Sequence, residues 1–331
     1  MKRKYIVGFD LLRFLFIFLI ILSHSMSFSF IGSDSIWGAA GVTGFFILSG
    51  FLSKYHYQKK GSIFNDCINN LLRFFIKFYP MYFIFLIVYA FITKGSISDF
   101  FRALFLTQSY WGKTDIAMAF HGNAWFLSSI MLSYFLSPIL ISLTKKNNRS
   151  IIITTIVLFL IQITLPLIWR NDFQNGYYWV YIFPFTRIID FYYGILICTF
   201  IEENEIHLNK NMGIIIFIIY LVELLLINYI PIMLFRYDIA WVPVTILLIV
   251  YFYHYDFHND KNTLEHIIKI GRLSFEIFLC HRLILKHIST INNGFCGWII
   301  SLLIIYSISC LFHEFNNRIR LLCQRWNFTL N

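Results

Sequence analysis

Arg13 and His24 stand in a segment, VGFDLLRFLFIFLIILSH, that is otherwise almost wholly apolar. On a helix, eleven steps of ~100° return to within ~20° of the start. The two side chains therefore leave one face, ~16 Å apart along the axis. Asp10 falls one turn before Arg13 on nearly the same face, where its carboxylate can pair with the guanidinium. Arginine is a permanent cation whose planar fork matches phosphate oxygens. Histidine exchanges protons near neutral pH, so it can deprotonate a hydroxyl or carry a transferred group. An ionisable side chain in lipid costs ~2.5–3.5 kcal/mol on insertion scales, so this polar stripe must face a bundle interior or a wet cavity. His24 and Arg13 are the candidate catalytic residues.

Other polar residues interrupt apolar stretches. Arg187 and Asp190 are three apart and suited to an ion pair. Glu276, His281 and Arg282 cluster in SFEIFLCHRL, and Glu223 stands alone in a seventh stretch. His281, Arg187 and Asp190 are candidates to orient an acceptor or to stabilise an oxyanion. His121, Asn123 and Trp125 open a fourth stretch from the outer side, a place suited to meet a sugar ring, and Trp125 fits an interfacial aromatic belt equally well. Arg73 and Lys77 are candidates to assist Arg13 in holding an anionic ligand. His254, Asp256 and His258 alternate in a metal-like pattern, but in a polar connection where such residues are solvated, and no metal site is expected. No GxSxG, P-loop, HExxH or GxGxxG motif is present.

The elements that must carry these residues follow from composition. The chain has 331 residues, of which 58% are hydrophobic, 20% aromatic and only 13% charged, with a mean hydropathy of +0.68. Soluble domains carry ~25% charged residues, so the solvent here is largely lipid. Stretches of roughly the length that crosses a bilayer lie at about 7–27, 37–55, 74–93, 123–144, 151–169, 179–201, 212–231, 238–254, 267–288 and 295–315. The second is short and glycine-rich, and an interfacial helix is expected around Phe100–Phe105. The expected architecture is an all-α, polytopic bundle of about ten transmembrane helices, forming a single domain over 1–331 without an appended soluble domain. The first apolar run continues past Leu22 without a small-x-small site and is read as a retained helix rather than a cleaved signal. Cys67, Cys198, Cys280, Cys296, Cys310 and Cys323 form no CxxC pair and read as packing residues.

The net charge of +10 does not mark a nucleic-acid partner, because the cations sit in short connections between apolar runs. Lys2, Arg3, Lys4, Lys54, Lys59, Lys60, Arg73, Lys77, Lys145, Lys146, Arg149, Lys210, Lys261, Lys269, Arg272, Arg318, Arg320 and Arg325 fall on one side. Only Lys94, Arg102, Lys113, Arg170 and Arg236 fall on the other. By the positive-inside rule both termini are expected in the cytoplasm of a multi-pass plasma-membrane protein.

The chain resembles the membrane-bound acyltransferase family 3, which includes surface-polysaccharide O-acetyltransferases. Its first helix reads GFDLLRFLFIFLIILSH, placing Arg13 and, after ten residues, His24 on the family pattern. GVTGFFILSGFLS, LLRFFIKFYPMYF, NAWFLSSIMLSYFLSPIL, RIIDFYYGILI and GRLSFEIFLCHRLIL resemble later phrases in the same order, the last placing His281. The sequence departs from the pattern at Thr43, where an aspartate is common, at Cys280-His281-Arg282-Leu283 in place of Trp-His-x-Pro, and after Glu314, where a proline is usual. The resemblance implies acetyl-CoA (or another acyl-CoA) as co-substrate, with no bound cofactor. It implies a hydroxyl of an envelope glycan or lipid-linked saccharide as acceptor, with Arg13, Arg73 and Lys77 binding acyl-CoA. Composition alone also suits a polysaccharide or lipid-linked sugar transporter, though no internal repeat is seen. It suits equally a non-catalytic membrane scaffold in which the Arg13/His24 stripe only packs helices.

Overall fold

The computed structural model describes residues 5–30, 36–93, 95–145, 147–206, 209–255 and 263–325. Lys2, Arg3, Lys4, Lys94, Lys146, Asp256, His258 and Lys261, named above, lie outside the described residues, as do the side chains of Arg320, Cys323 and Arg325. The fold is all-α, with no strand among the described residues. In order the helices are α1 Val7–Ser23, α2 Trp37–His56, α3 Ile63–Ile92, α4 Ile97–Leu104, α5 Thr114–Ala117, α6 Trp125–Leu143 and α7 Asn148–Ile168. There follow α8 Phe173–Tyr177, α9 Pro184–Glu203, α10 Lys210–Leu226, α11 Val242–His254, α12 Glu265–Arg272, α13 Ser274–Ile291 and α14 Phe295–Arg325.

Among the described residues, six helices are long and apolar enough to cross a membrane: α3, α6, α7, α9, α10 with its terminal turn, and α14. The remaining apolar helices, α1, α2, α11 and α13, are shorter or carry the polar residues of the site. α1 buries Phe9, Leu12, Phe16, Leu19 and Ile20 against its neighbours. The outward faces of α7 (Ile152, Ile153, Ile156, Leu160) and α10 (Ile214, Ile215, Ile218, Val222) are exposed and apolar, as lipid contact requires. The short α4 carries the expected interfacial segment, with its N-terminus capped by Ser96 Oγ accepting from Asp99 N.

Three boundaries differ from the sequence expectation. α3 begins at Ile63 because Ser62 Oγ accepts the amide of Asn65 and caps a polar turn that precedes the apolar stretch. The ninth stretch is two helices, α12 and α13, meeting at Leu273. Gly271 at this joint lies against α1, and a Cβ there would overlap the carbonyl oxygen of Asp10. α14 continues beyond the apolar stretch as a polar helix to Arg325.

The second stretch, short and glycine-rich, is a 20-residue helix. Glycines on α2 and α9 set how it packs. A Cβ on Gly50 would overlap the carbonyl of Phe191, and one on Gly194 would overlap the carbonyl of Ile47. α2 and α9 therefore touch backbone to backbone, the close approach that small residues permit between membrane helices.

Candidate functional site

Two cavities open at opposite ends of α1. The proximal one, about 680 Å³, is lined by Asp10, Arg13, Lys60, Asp66, Arg73, Lys77, Arg272 and Glu276, with Phe45, Phe126 and Phe278 at its deep end. Asp10 is buried and shared: Oδ1 accepts from Arg13 Nη1, and Oδ2 accepts from Arg272 Nε at 3.0 Å. Arg272 also donates to the Tyr5 hydroxyl at 2.9 Å. Glu276 meets His313 Nδ1 at 2.9 Å, and Tyr57 donates to Asp66 at 2.8 Å. Burial, and after it the Asp66 bond, push the Tyr57 phenol up to about 12, so it remains a donor at neutral pH. Arg73 and Lys77 face the same space from two successive turns of α3. The chemistry on offer is several cations around a deep apolar pocket, suited to a polyanion carrying an apolar arm.

The distal cavity, about 700 Å³, holds His24 at the C-terminal end of α1. The rings of His24 and His281 stack with centroids 5.1 Å apart and planes 17° apart. Asn123 bridges them. Its Oδ1 lies 3.2 Å from His24 Nε2 and its Nδ2 lies 3.2 Å from His281 Nε2. Asn123 reaches this position from the turn before α6, where Ala124 N donates to His121 O at 2.8 Å. The tip of the Arg282 side chain lies against Gly122 in that turn, in the space a Cβ would fill.

The bonding decides which nitrogen of His24 is reactive. His281 Nδ1 is 3.0 Å from Ile277 O, a group that only accepts, so Nδ1 carries the proton and Nε2 of the neutral ring accepts. Asn123 then presents Nδ2 to His281 and Oδ1 to His24. Arg282 Nη1, 3.4 Å from Oδ1, fixes the same orientation, since a flipped amide would set donor against donor. His24 consequently donates through Nε2 and keeps its lone pair on Nδ1. Ser23 Oγ is 3.5 Å from Nδ1, but its hydrogen goes to Ile20 O at 2.9 Å. Nδ1 is the atom able to take a proton or attack a carbonyl.

Phe278 lines both cavities. Its ring packs at a tilt on Phe126 at 5.1 Å, Phe126 meets Phe46 edge to face at 4.9 Å, and Phe278 lies 6.0 Å from His281. An aromatic partition thus stands between the cations of one cavity and the imidazoles of the other.

A family model described as an acyltransferase domain matches residues 6–314. The chain belongs to acyltransferase family 3. It is a multi-pass membrane acyltransferase. No curated protein and no solved structure matches it.

Within this acyltransferase the remaining expected residues fall into distinct places. Trp125 lines the distal cavity and packs on Tyr181 at 4.8 Å. Arg187 and Asp190 line neither cavity. Both are fully buried, with Arg187 contacting Asp190 at 2.8 Å and Asp238 at 2.7 Å. Gln162 donates to both carboxylates, at 2.8 and 3.0 Å. This network locks α7, α9 and the segment before α11 together, and it is shielded from an acceptor by Tyr181 and Phe46, over whose rings the guanidinium lies. His121 is also fully buried, with Nε2 donating to Leu279 O at 3.1 Å and the ring resting on Tyr89 at 4.4 Å. His281 has both nitrogens engaged, so it has no N–H left for an oxyanion and instead positions Asn123. Glu276 faces the proximal cavity while His281 and Arg282 serve the distal end, so the cluster seen in sequence divides between two sites. Glu223 lines no cavity described here.

Sequence reasoning placed Asn123 beside a sugar rather than between two histidines, and assigned no role to Arg282 at the site or to Asp238 and Gln162 in the buried network. The signal for Asn123 was present: a polar amide between a glycine and a tryptophan at the mouth of an apolar stretch. Gln162, a lone amide inside the 151–169 apolar stretch, offered a similar signal, but its partners Asp190 and Asp238 are far away in sequence.

Proposed function

We propose that this protein transfers an acetyl group from cytoplasmic acetyl-CoA to a hydroxyl of an envelope glycan or lipid-linked saccharide, in the plasma membrane. The observation that carries the reading is the Asn123-bridged His24/His281 pair, set behind an aromatic partition from an arginine-rich cavity. In this reading the proximal cavity and both termini are cytoplasmic. The Lys and Arg asymmetry supports that orientation: Lys60, Arg73, Lys77 and Arg272 share the Arg13 cavity, whereas Arg236 and Arg282 share the His24 cavity.

CoA is polyanionic at one end and narrow and flexible at the other. Arg13, Arg73 and Lys77 hold the phosphates, and the pantetheine arm runs along Phe45, Phe126 and Phe278 toward His24. The ~16 Å between Arg13 and His24 along α1 is a length such an arm can span. The acceptor hydroxyl sits in the distal cavity. His24 Nδ1 takes its proton as the oxygen attacks the thioester carbon. The C–S bond then breaks, and the departing thiolate receives that proton from Nδ1 to leave as CoA–SH. A free alkoxide is far too basic at neutral pH, so a base beside the hydroxyl is required. The tight aromatic boundary supports a small acyl group.

The test uses membranes containing the protein and labelled acetyl-CoA. His24→Ala and Arg13→Ala are each expected to abolish or strongly reduce label in glycan, and CoA should stabilise the purified protein against heat. Undiminished transfer by both variants would end the assignment.

A further inference from the structure

The structure assigns the distal cavity to an acceptor that carries a negative charge, a sugar bearing a carboxylate or a phosphate group. This rests on the acyl-transfer reading and deepens it. Arg236 and Arg282 both line that cavity, and no aspartate or glutamate is among the described residues lining it. Five of the other arginines are treated differently. Arg13, Arg102, Arg187, Arg272 and Arg318 each lie within 3.0 Å of a carboxylate oxygen. Among the described residues Arg236 has only the neutral carbonyl of Ile230, receiving Nε at 2.8 Å and Nη2 at 2.6 Å. Among the described residues Arg282 has only the amide oxygen of Asn123, at 3.4 Å.

Neutral acceptors of this kind orient a guanidinium without neutralising it. Two cations sharing one concave site repel each other and favour any anion that enters. The walls supply the rest of a sugar site: Trp125, Tyr177, Tyr181 and Tyr237 present flat, amphipathic rings to the same space. Arg282 also holds Asn123, so an anion drawn to Arg282 is brought beside the His24 relay. The forked geometry of both side chains suits carboxylate or phosphate equally.

The experiment uses the full-length protein in phosphatidylcholine nanodiscs with CoA present. Binding of three probes is measured: p-nitrophenyl β-glucoside, the matching β-glucuronide and the matching glucoside 6-phosphate. The glucuronide, the 6-phosphate or both are expected to bind at least ~10-fold more tightly than the glucoside, as one charge-assisted contact provides; which one does so distinguishes the two charges. Arg236→Gln should remove most of that preference, and Arg236→Lys should retain part of it. An equal response to all three probes, including none to any, overturns the inference. So does loss of the preference when phosphatidylglycerol is added, which would give the arginines to lipid. CoA binding by the unmodified protein is read in parallel: if it too is missing, acyl transfer itself fails; if it is present, only the charge of the acceptor is in question.

Discussion

His24 and His281 come from opposite ends of the chain, yet their rings stack at 5.1 Å and share a single asparagine between them. The arrangement passes one hydrogen-bond direction along a line: Asn123 Nδ2 donates to His281, and His24 donates to Asn123 Oδ1. Its effect is to keep the His24 lone pair on Nδ1. A base that is held in one tautomer needs no reorganisation when the hydroxyl arrives.

Asn123→Ala removes that constraint without removing the base. The turnover number should fall ~10²-fold, with KM for acetyl-CoA nearly unchanged, because general-base catalysis is worth ~10²–10⁴-fold and only its alignment is lost. His24→Gln should cost more. Initial rates in membranes decide it; an unaltered turnover number in Asn123→Ala removes the relay from the mechanism.

Phe278→Ala should widen the partition between the two cavities. The ratio of butyryl to acetyl transfer is expected to rise ~10-fold, the usual worth of one or two methylenes in an apolar passage. Competition between the two acyl-CoA donors measures it directly. An unmoved ratio would place the acyl-length filter elsewhere.

Asp10→Asn leaves Arg13 and Arg272 without their common counter-charge. Losing one partner of a buried pair costs ~3–5 kcal/mol. The arginines here are 29% and 50% exposed, so solvent screening reduces this to about 1–2 kcal/mol. Thermal unfolding in detergent should drop by several degrees, and KM for acetyl-CoA should rise as Arg13 loses its fixed direction.

Arg187→Met strands the Asp190 and Asp238 carboxylates in a dry interior. A penalty of ~3–5 kcal/mol is expected, seen as poor yield of folded protein in fluorescence-detected gel filtration. Neutralising both acids as well, in Arg187→Met with Asp190→Asn and Asp238→Asn, should recover folding. Recovery of activity along with it would confirm that the network is structural and takes no part in turnover.

Gly194→Ala pushes a methyl group into the backbone of α2. Overpacking of this kind costs ~1–3 kcal/mol, and the melting temperature should fall while any protein that remains folded keeps its kinetic constants.

Much of this protein is written locally. Apolar runs of bilayer length are a property of consecutive residues, so the positions of the main helices could be read without knowing their neighbours. Arg13 and His24 lie within one helix, where ~100° per residue settles a shared face. Asp10 and Arg13, or Arg187 and Asp190, pair across a single turn for the same reason. What lay beyond the sequence is everything set by contacts between distant segments. The break at Leu273, the backbone contact of α2 with α9, and the burial of Arg187 behind Tyr181 depend on what packs opposite. The tautomer of His24 depends on Asn123, whose amide is oriented by His281 and Arg282. Helix periodicity records which way a side chain leaves its own helix; only the folded bundle decides what it meets there.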